Sequence, residues 1–253
     1  MTARARTIVA AAALVLLSSG CTTVVSGTVR PAADLAPTPV TGMAVRQVLL
    51  DDSELTKLTG QPFRSDPSLP PRYGGLDELP DAWESAAPQD CVGAAVGGQR
   101  SVYNSANVRD AAHEFWDSSA AEDSPLTGVG EAVIALDSAT EADALVEKFA
   151  QQWRSCDGVV VTRDSGTDSE ASGEIADVSD EDAILVAVVR TSVDGEAGLR
   201  VSRALGSRVN CIVDVDVFWF ADEGDDSGVP PTGDTTAADM VRAMLDKVRN
   251  LSG

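Results

Sequence analysis

Histidine, lysine, cysteine and aromatic residues are all scarce in this 253-residue chain: one His, three Lys (Lys57, Lys148, Lys247), four Cys, and aromatics at 4%. With His113 alone, a zinc site built on several histidines is excluded, and no two cysteines stand in C-x-x-C spacing. No G-x-x-x-x-G-K-[ST], G-x-G-x-x-G or G-x-S-x-G run occurs, which removes the phosphate cradle, the dinucleotide fingerprint and the nucleophile elbow. These absences predict no metal, no cofactor and no enzyme active site. Positive charge is short as well, with 19 Lys+Arg against 40 Asp+Glu and a formal net charge of −21. A nucleic-acid partner needs a basic footprint and is excluded. The same imbalance disfavours a body lying flat on an anionic leaflet. The longest apolar run, Thr7 to Leu17, is too short to remain as a membrane-spanning helix.

That run is nevertheless informative. Arg4 and Arg6 precede it, and it leads to Leu17-Ser18-Ser19-Gly20-Cys21. A basic start, a short apolar stretch and small residues before a cysteine resemble a bacterial lipobox. Residues 1–20 are therefore expected to be a lipoprotein signal peptide. Cys21 is expected to be the lipidated N-terminus, holding the protein to the extracytoplasmic face of the cell membrane. Cleavage would remove Arg4 and Arg6 and leave 17 Lys+Arg against 40 Asp+Glu, a balance of −23. Residues 21–44, with Pro31, Pro37 and Pro39 among Thr, Ser and Ala, read as a flexible tether. Residues 45–250 remain as one domain, long enough for a substantial core.

The clearest element is Ser138 to Cys156. Ala142, Leu145, Val146, Phe149, Trp153 and Cys156 recur on one helical face, with Glu141, Glu147, Lys148, Gln151 and Arg154 off it. Ser138 is an expected N-cap with Glu141 as its capping-box partner, and Asp157-Gly158 is the stop. Strand-like runs flank it at Val129–Leu136 and Val159–Thr162. Val45 to Leu50 starts a short helical pattern; Asp52 or Ser53 is expected to cap a further one through Leu55 and Leu58, ending at Gly60. Gln61 to Pro88 reads as irregular, Cys91 to Gly98 as a small-residue helix, Val108 to Trp116 as helix or strand, and Gly166 to Ser172 as a polar break. Ala183–Val193, Leu199–Leu205 and Cys211–Phe220 read as an antiparallel meander, with turns at Asp194-Gly195 and Gly206-Ser207. Thr235 to Arg249 is a closing amphipathic helix. The order favours an α+β domain, an antiparallel sheet packed with helices, over a parallel doubly wound fold.

No constellation points to one reaction. His113, between apolar and aromatic neighbours, reads as structural or surface. Asp222-Glu223-Gly224-Asp225-Asp226 lacks the alternating spacing of a calcium loop. That run and the strand face bearing Asp214 and Asp216 read as solvated acid. Trp83, Trp116, Trp153 and Trp219 could line an apolar cleft, although Trp153 and Trp219 fall on core stripes. Arg200, Arg203 and Arg208 are clustered enough in sequence to be a candidate local basic pocket for an anion. The export signal implies an oxidising compartment, in which Cys91, Cys156 and Cys211 allow three single pairings and leave one thiol over.

Several segments together resemble a known family: LLDDSELTKLTG at 49–60, CVGAAV at 91–96, VY at 102–103, VGEAVIALDSATEADALVEKFAQQWRSCDG at 129–158, and the strand bearing Cys211. The chain is similar over about 45–250 to the PknH-like extracellular sensor domains, which also occur as stand-alone mycobacterial lipoproteins. The resemblance implies a single domain with an antiparallel sheet, a cleft, disulfides, and ligand sensing or binding outside the membrane. It pairs Cys91 with Cys156. That agrees with the core-facing position of Cys156 and with the small residues after Cys91, and it leaves Cys211 as a free thiol. The second bridge usual in the family lacks a cysteine here, because 157–182 holds none. The expected function is that of a monomeric, lipid-anchored binding or sensor lipoprotein for an unknown small molecule or envelope lipid, neutral or cationic rather than polyanionic. The alternatives are an adaptor docking a membrane protein, or an envelope hydrolase working through a buried carboxylate pair. No ligand-binding residue is assigned by sequence.

Overall fold

The computed structural model describes residues 37–120, 124–164, 169–220 and 236–253, all within the unit Pro37–Gly253. Cys21, most of the tether and the acidic run at 222–226 lie outside the described residues. Chain order is α1 (Met43–Arg46), α2 (Asp52–Thr59), β1 (Phe63–Ser65), β2 (Arg72–Gly74), α3 (Val92–Ala95), α4 (Arg100–Tyr103), β3 (Val108–Ser118) and β4 (Leu126–Leu136). Then come α5 (Ala139–Cys156), β5 (Val160–Asp164), β6 (Glu170–Glu181), β7 (Ile184–Val193), β8 (Glu196–Arg208), β9 (Cys211–Phe220) and α6 (Ala237–Leu251). The nine strands form one sheet in the order β1-β3-β4-β9-β8-β7-β6-β5, with β2 also pairing β3, and every pairing is antiparallel. The α+β reading holds.

Helices cover both faces of the sheet. Cys211, Val213, Val215, Val217 and Trp219 of β9 face one core with Val45 and Leu50 from the α1 region, Leu55 of α2, and Met240, Val241, Met244 and Val248 of α6. Alternate residues such as Ile212 face the other core, with Ala142, Phe149, Trp153 and Cys156 of α5 and with Val92, Ala94 and Ala95 of α3. This is period-2 alternation in a sheet buried on both sides. Cys91 and Cys156 form a disulfide with Cα atoms 5.6 Å apart, and Cys211 is buried and unpaired. Burial raises the Cys211 thiol to a pKa of about 12.

Several local expectations change. Asp51 caps α2, not Asp52 or Ser53: its Oδ1 accepts from Glu54 N (2.8 Å) while Glu54 Oε2 accepts from Asp51 N (2.9 Å). That reciprocal pair satisfies two orphan donors, which neither of the later residues could do. Ser138 caps α5 through Glu141 N (3.3 Å), but Glu141 Oε1 accepts from Asn107 Nδ2 instead of closing a box. The Gln61–Pro88 stretch includes β1 and β2, and the ambiguous Val108–Trp116 run is strand β3. The polar stretch after residue 169 is β6, whose strongest inward side chain is Ile175.

Gly206-Ser207 is not a turn. It lies inside β8, where a Cβ at Gly206 would meet Leu245 Cδ1 and Val241 Cγ1, each at 3.2 Å, so the glycine lets α6 pack closely on the strand. The turn is Val209-Asn210, joining Arg208 to Cys211 across the ladder. Asn210 is fully buried and binds Val40 N (2.7 Å), Val40 O (2.9 Å) and Leu136 O (2.9 Å) through its side-chain amide. Thr38 N also donates to Ser252 O (2.8 Å), so the chain is attached to the domain ahead of Val45.

Candidate functional site

Arg203 stands opposite Asp216 on neighbouring strands β8 and β9. Its Nη1 donates to Asp214 Oδ1 at 2.9 Å and to Asp216 Oδ1. Nη2 donates to Gly93 O (2.6 Å) and Nε to Ala94 O (3.4 Å), and the guanidinium lies 5.1 Å from the centre of the Trp153 ring. The carboxylates are held from the other side by successive backbone amides: Gly97 N reaches Asp216 Oδ2 and Gly98 N reaches Asp214 Oδ2, both at 2.9 Å. Tyr103 OH also donates to Asp214 Oδ2 at 2.9 Å. Only glycine suits this turn. A Cβ at Gly97 would fall 2.4 Å from Arg203 Nη1, and Gly98 has a φ of +60°. The cluster thus ties β8 and β9 to the 91–103 segment, which the disulfide ties to α5. All three charged groups are buried. Burial raises the Asp216 carboxyl pKa, while Arg203 opposes that shift. Buried Tyr103, beside Asp214, has its phenol pushed well above its ordinary range.

This ionic cluster forms one wall of a cleft. A chamber of about 220 Å³ has a floor of His113 and Phe115 (β3), Gly130 and Ala132 (β4), and Asp214, Asp216 and Phe218 (β9). Its roof is Leu69, Pro80, Ala82, Trp83 and the turn Val96–Gln99. The space exists because β4 carries small residues there. Phe115 lies across Gly130, whose absent Cβ would sit 3.3 Å from that ring. Gln99 braces the roof, its Oε1 accepting from Trp83 N and its Nε2 donating to Gly97 O, both at 3.2 Å. An outer chamber of about 380 Å³ adjoins it, sharing Leu69, Pro80, Ala82 and His113. There the arginines are engaged by acids: Arg100 with Asp81, and Arg72 with Glu78 at 3.7 Å. His113, between the chambers, has its pKa lowered to about 4, first by burial and then by Arg72. It is a neutral ring at pH 7.

A further buried acid lies on the opposite face of the sheet. Glu131 Oε2 accepts from Leu50 N (3.0 Å) and Oε1 from Trp116 Nε1 (2.8 Å). Desolvation raises its pKa to about 8, with a smaller push from Glu114, its cross-strand neighbour. Glu114 is itself raised by burial. The Glu131 carboxyl is thus held on the face of the sheet that carries Leu50 and Trp116.

The sequence candidates are redistributed. Asp214 and Asp216 are not a solvated face; they are the buried partners of Arg203, because that face of the sheet is covered by the 91–103 segment. Arg200 and Arg203 do not cluster, since Arg200 stands opposite Trp219 and Arg203 opposite Asp216, on opposite faces of the sheet. Of the four tryptophans only Trp83 lines the cleft; Trp116, Trp153 and Trp219 are core. His113 is a cleft residue. Gly97, Gly98 and Gln99 carry no motif, and Tyr103 falls in the VY pair of the resemblance, which assigned it no role. The one sequence signal for the cluster is the β8–β9 register, which places Arg203 against Asp216 once the turn is set at Val209-Asn210. Among the described residues no group of three or more His, Cys, Asp and Glu is arranged to hold a metal ion. No helix among them is long and apolar enough to cross a membrane.

The fold and the cleft define an α+β domain whose open antiparallel sheet carries helices on both faces and a ligand-sized hollow on one. A family model described as the PknH-like extracellular domain matches residues 40–247, and the chain belongs to that family of extracytoplasmic domains. A solved relative in fold is the extracellular domain of PknH from Mycobacterium tuberculosis. It superposes with a TM-score of 0.67 over 85% of this chain and 100% of that chain, at 21% identity. No curated protein matches the chain.

Proposed function

We propose that this protein is a monomeric, lipid-anchored binding or sensing lipoprotein of the cell envelope that takes a small molecule into the cleft between β3, β4, β9 and the 96–99 turn. One observation carries the reading: a hollow with a half-buried aromatic floor and a charged wall, held open by a disulfide-tied, ion-paired segment. Pre-formed, mostly apolar hollows with a few convergent polar groups are the usual shape of small-molecule sites. The family's description names an extracellular domain, which supports a role outside the cytoplasm. Native mass spectrometry of the protein purified from its own envelope tests this. A retained small molecule or lipid is expected, and Gly130→Val, which fills the floor beside Phe115, should lose it. A parent that carries nothing, or a variant that retains the same molecule, would count against the cleft.

A hydrolase is the second reading, because Asp214 and Asp216 are a buried carboxylate pair at a cleft. Arg203 bridges the two carboxyls and Tyr103 OH also binds Asp214, which favours a structural role for the pair. Turnover of ester or glycoside substrates that disappears in Asp216→Asn would favour it. The anchor has its own test. Cys21→Ala should leave the membrane fraction for the soluble one, since stable anchoring needs the diacyl group; unchanged fractionation would refute the lipobox.

A further inference from the structure

We propose that the occupant of the inner chamber is an organic cation, a protonated or quaternary amine on a compact apolar body. This rests on the cleft being the binding site and adds the chemistry of what fills it. Asp216 carries the charge argument. A carboxylate offers about four acceptor positions; Asp216 uses one for Arg203 Nη1 and one for Gly97 N, and it lines the chamber. Asp214, in contrast, already accepts from Arg203, Gly98 N and Tyr103 OH. Arg203 is one cation shared by two carboxyl groups; burial pushes the Asp216 pKa up, and a cation entering beside it would favour its ionised form. Among the described residues no Lys or Arg borders this chamber, and His113 is neutral at pH 7.

Aromatic rings complete the arrangement. Phe115 and Phe218 stand 5.2 Å apart between ring centres, tilted by 51°, on the same floor as Asp216. Both are half-buried, as is Trp83 in the roof. Ring faces attract cations, most strongly where water is excluded, and an amine beside a carboxylate under aromatic rings combines both attractions. An anion would meet Asp216 at close range. A neutral ligand would desolvate that carboxylate further with no return. The chain's net charge of −21 steers in the same direction.

Three probes sharing one ring decide it: benzyltrimethylammonium, benzyl alcohol and phenylacetate. Each is titrated into the full chain by NMR, with the tryptophan indole signals as reporters. The cation is expected to bind about tenfold more tightly than the alcohol, with phenylacetate weakest. Asp216→Asn should erase that preference while retaining the alcohol, and Phe218→Ala should weaken the cation in a chain whose fold is checked by its melting. If cation and alcohol bind equally, the cleft stands as a site and the cation assignment falls. If phenylacetate binds best, the assignment is reversed. If no probe shifts any indole, both the cleft and its cation fall together.

Discussion

Removing one member of a buried ionic group costs more than the group contributes, because the partners are left charged without compensation. Arg203→Met should therefore destabilise by about 3–5 kcal/mol, read as a lower denaturant midpoint. Arg203→Met combined with Asp214→Asn and Asp216→Asn should recover much of that loss. Equal stability of the single and triple variants would mean that the cluster is not buried as described. Asn210 gives a second test: its amide is the meeting point of Val40, Leu136 and the β8–β9 turn, so Asn210→Ala should cost about 2–3 kcal/mol. Glu131 makes stability depend on pH. Its folded pKa of about 8 lies above the ordinary value of 4.5, so the unfolded chain loses this proton first. Stability from this group is complete below about 4.5 and is lost as pH rises toward 8, by up to about 1.4 kcal/mol per unit. Glu131→Gln should flatten that part of the stability–pH profile whatever its absolute stability. A variant profile parallel to the parent's would show that Glu131 titrates normally.

Elements depend on a few junctions. The Cys91–Cys156 bridge closes a separation of 65 residues and fastens the segment covering Arg203 to α5. The chain-entropy relation assigns such a loop roughly 4 kcal/mol. Cys91→Ala should lower the melting temperature sharply, whereas Cys211→Ser alters one buried thiol and should cost less; non-reducing peptide maps with Cys211 in a linked pair would overturn this ordering. Helix α6 rests on β8 through Gly206, and Lys247 Nζ reaches Leu49 O and Glu54 Oε2, each at 2.6 Å, to join it to α2. Amphipathic periodicity made α5 and α6 readable, because a helix buries a fixed stripe. Strand β6 was not readable: its inward positions include Gly173 and its outward ones are polar, so its identity comes from pairing with β7 and β5. The β8–β9 turn was misplaced for a related reason. Glycine usually marks a turn, but Gly206 is there to admit α6, while the turn falls on Val209, held at a φ of 54° by the buried Asn210 contacts.

At the scale of the molecule, the lopsided charge, the nearly continuous apolar run of β7 and the alternation along β8 and β9 already pointed to an acidic, antiparallel α+β domain. Composition and periodicity are local properties, and a single chain displays them. The choice of Cys91 and Cys156 from three pairings rested on resemblance, which is itself a statement about sequence. The site was another matter. Asp214 and Asp216 alternate with valines in a pattern that any solvated strand face would show, and nothing adjacent in the chain reveals that residues 91–103 cover them. Moving the turn from Gly206-Ser207 to Val209-Asn210 changes the residue opposite Arg203 from Asn210 to Asp216, and with it the whole ionic wall. Register and coverage depend on contacts between segments more than a hundred residues apart, such as Gly97 with Asp216. Burial then converts those contacts into chemistry: desolvation turned an ordinary glutamate at position 131 into a neutral acid, and two aspartates into the floor of a cleft. Only the packed tertiary structure supplies that desolvation, because the unfolded chain leaves the same groups in water.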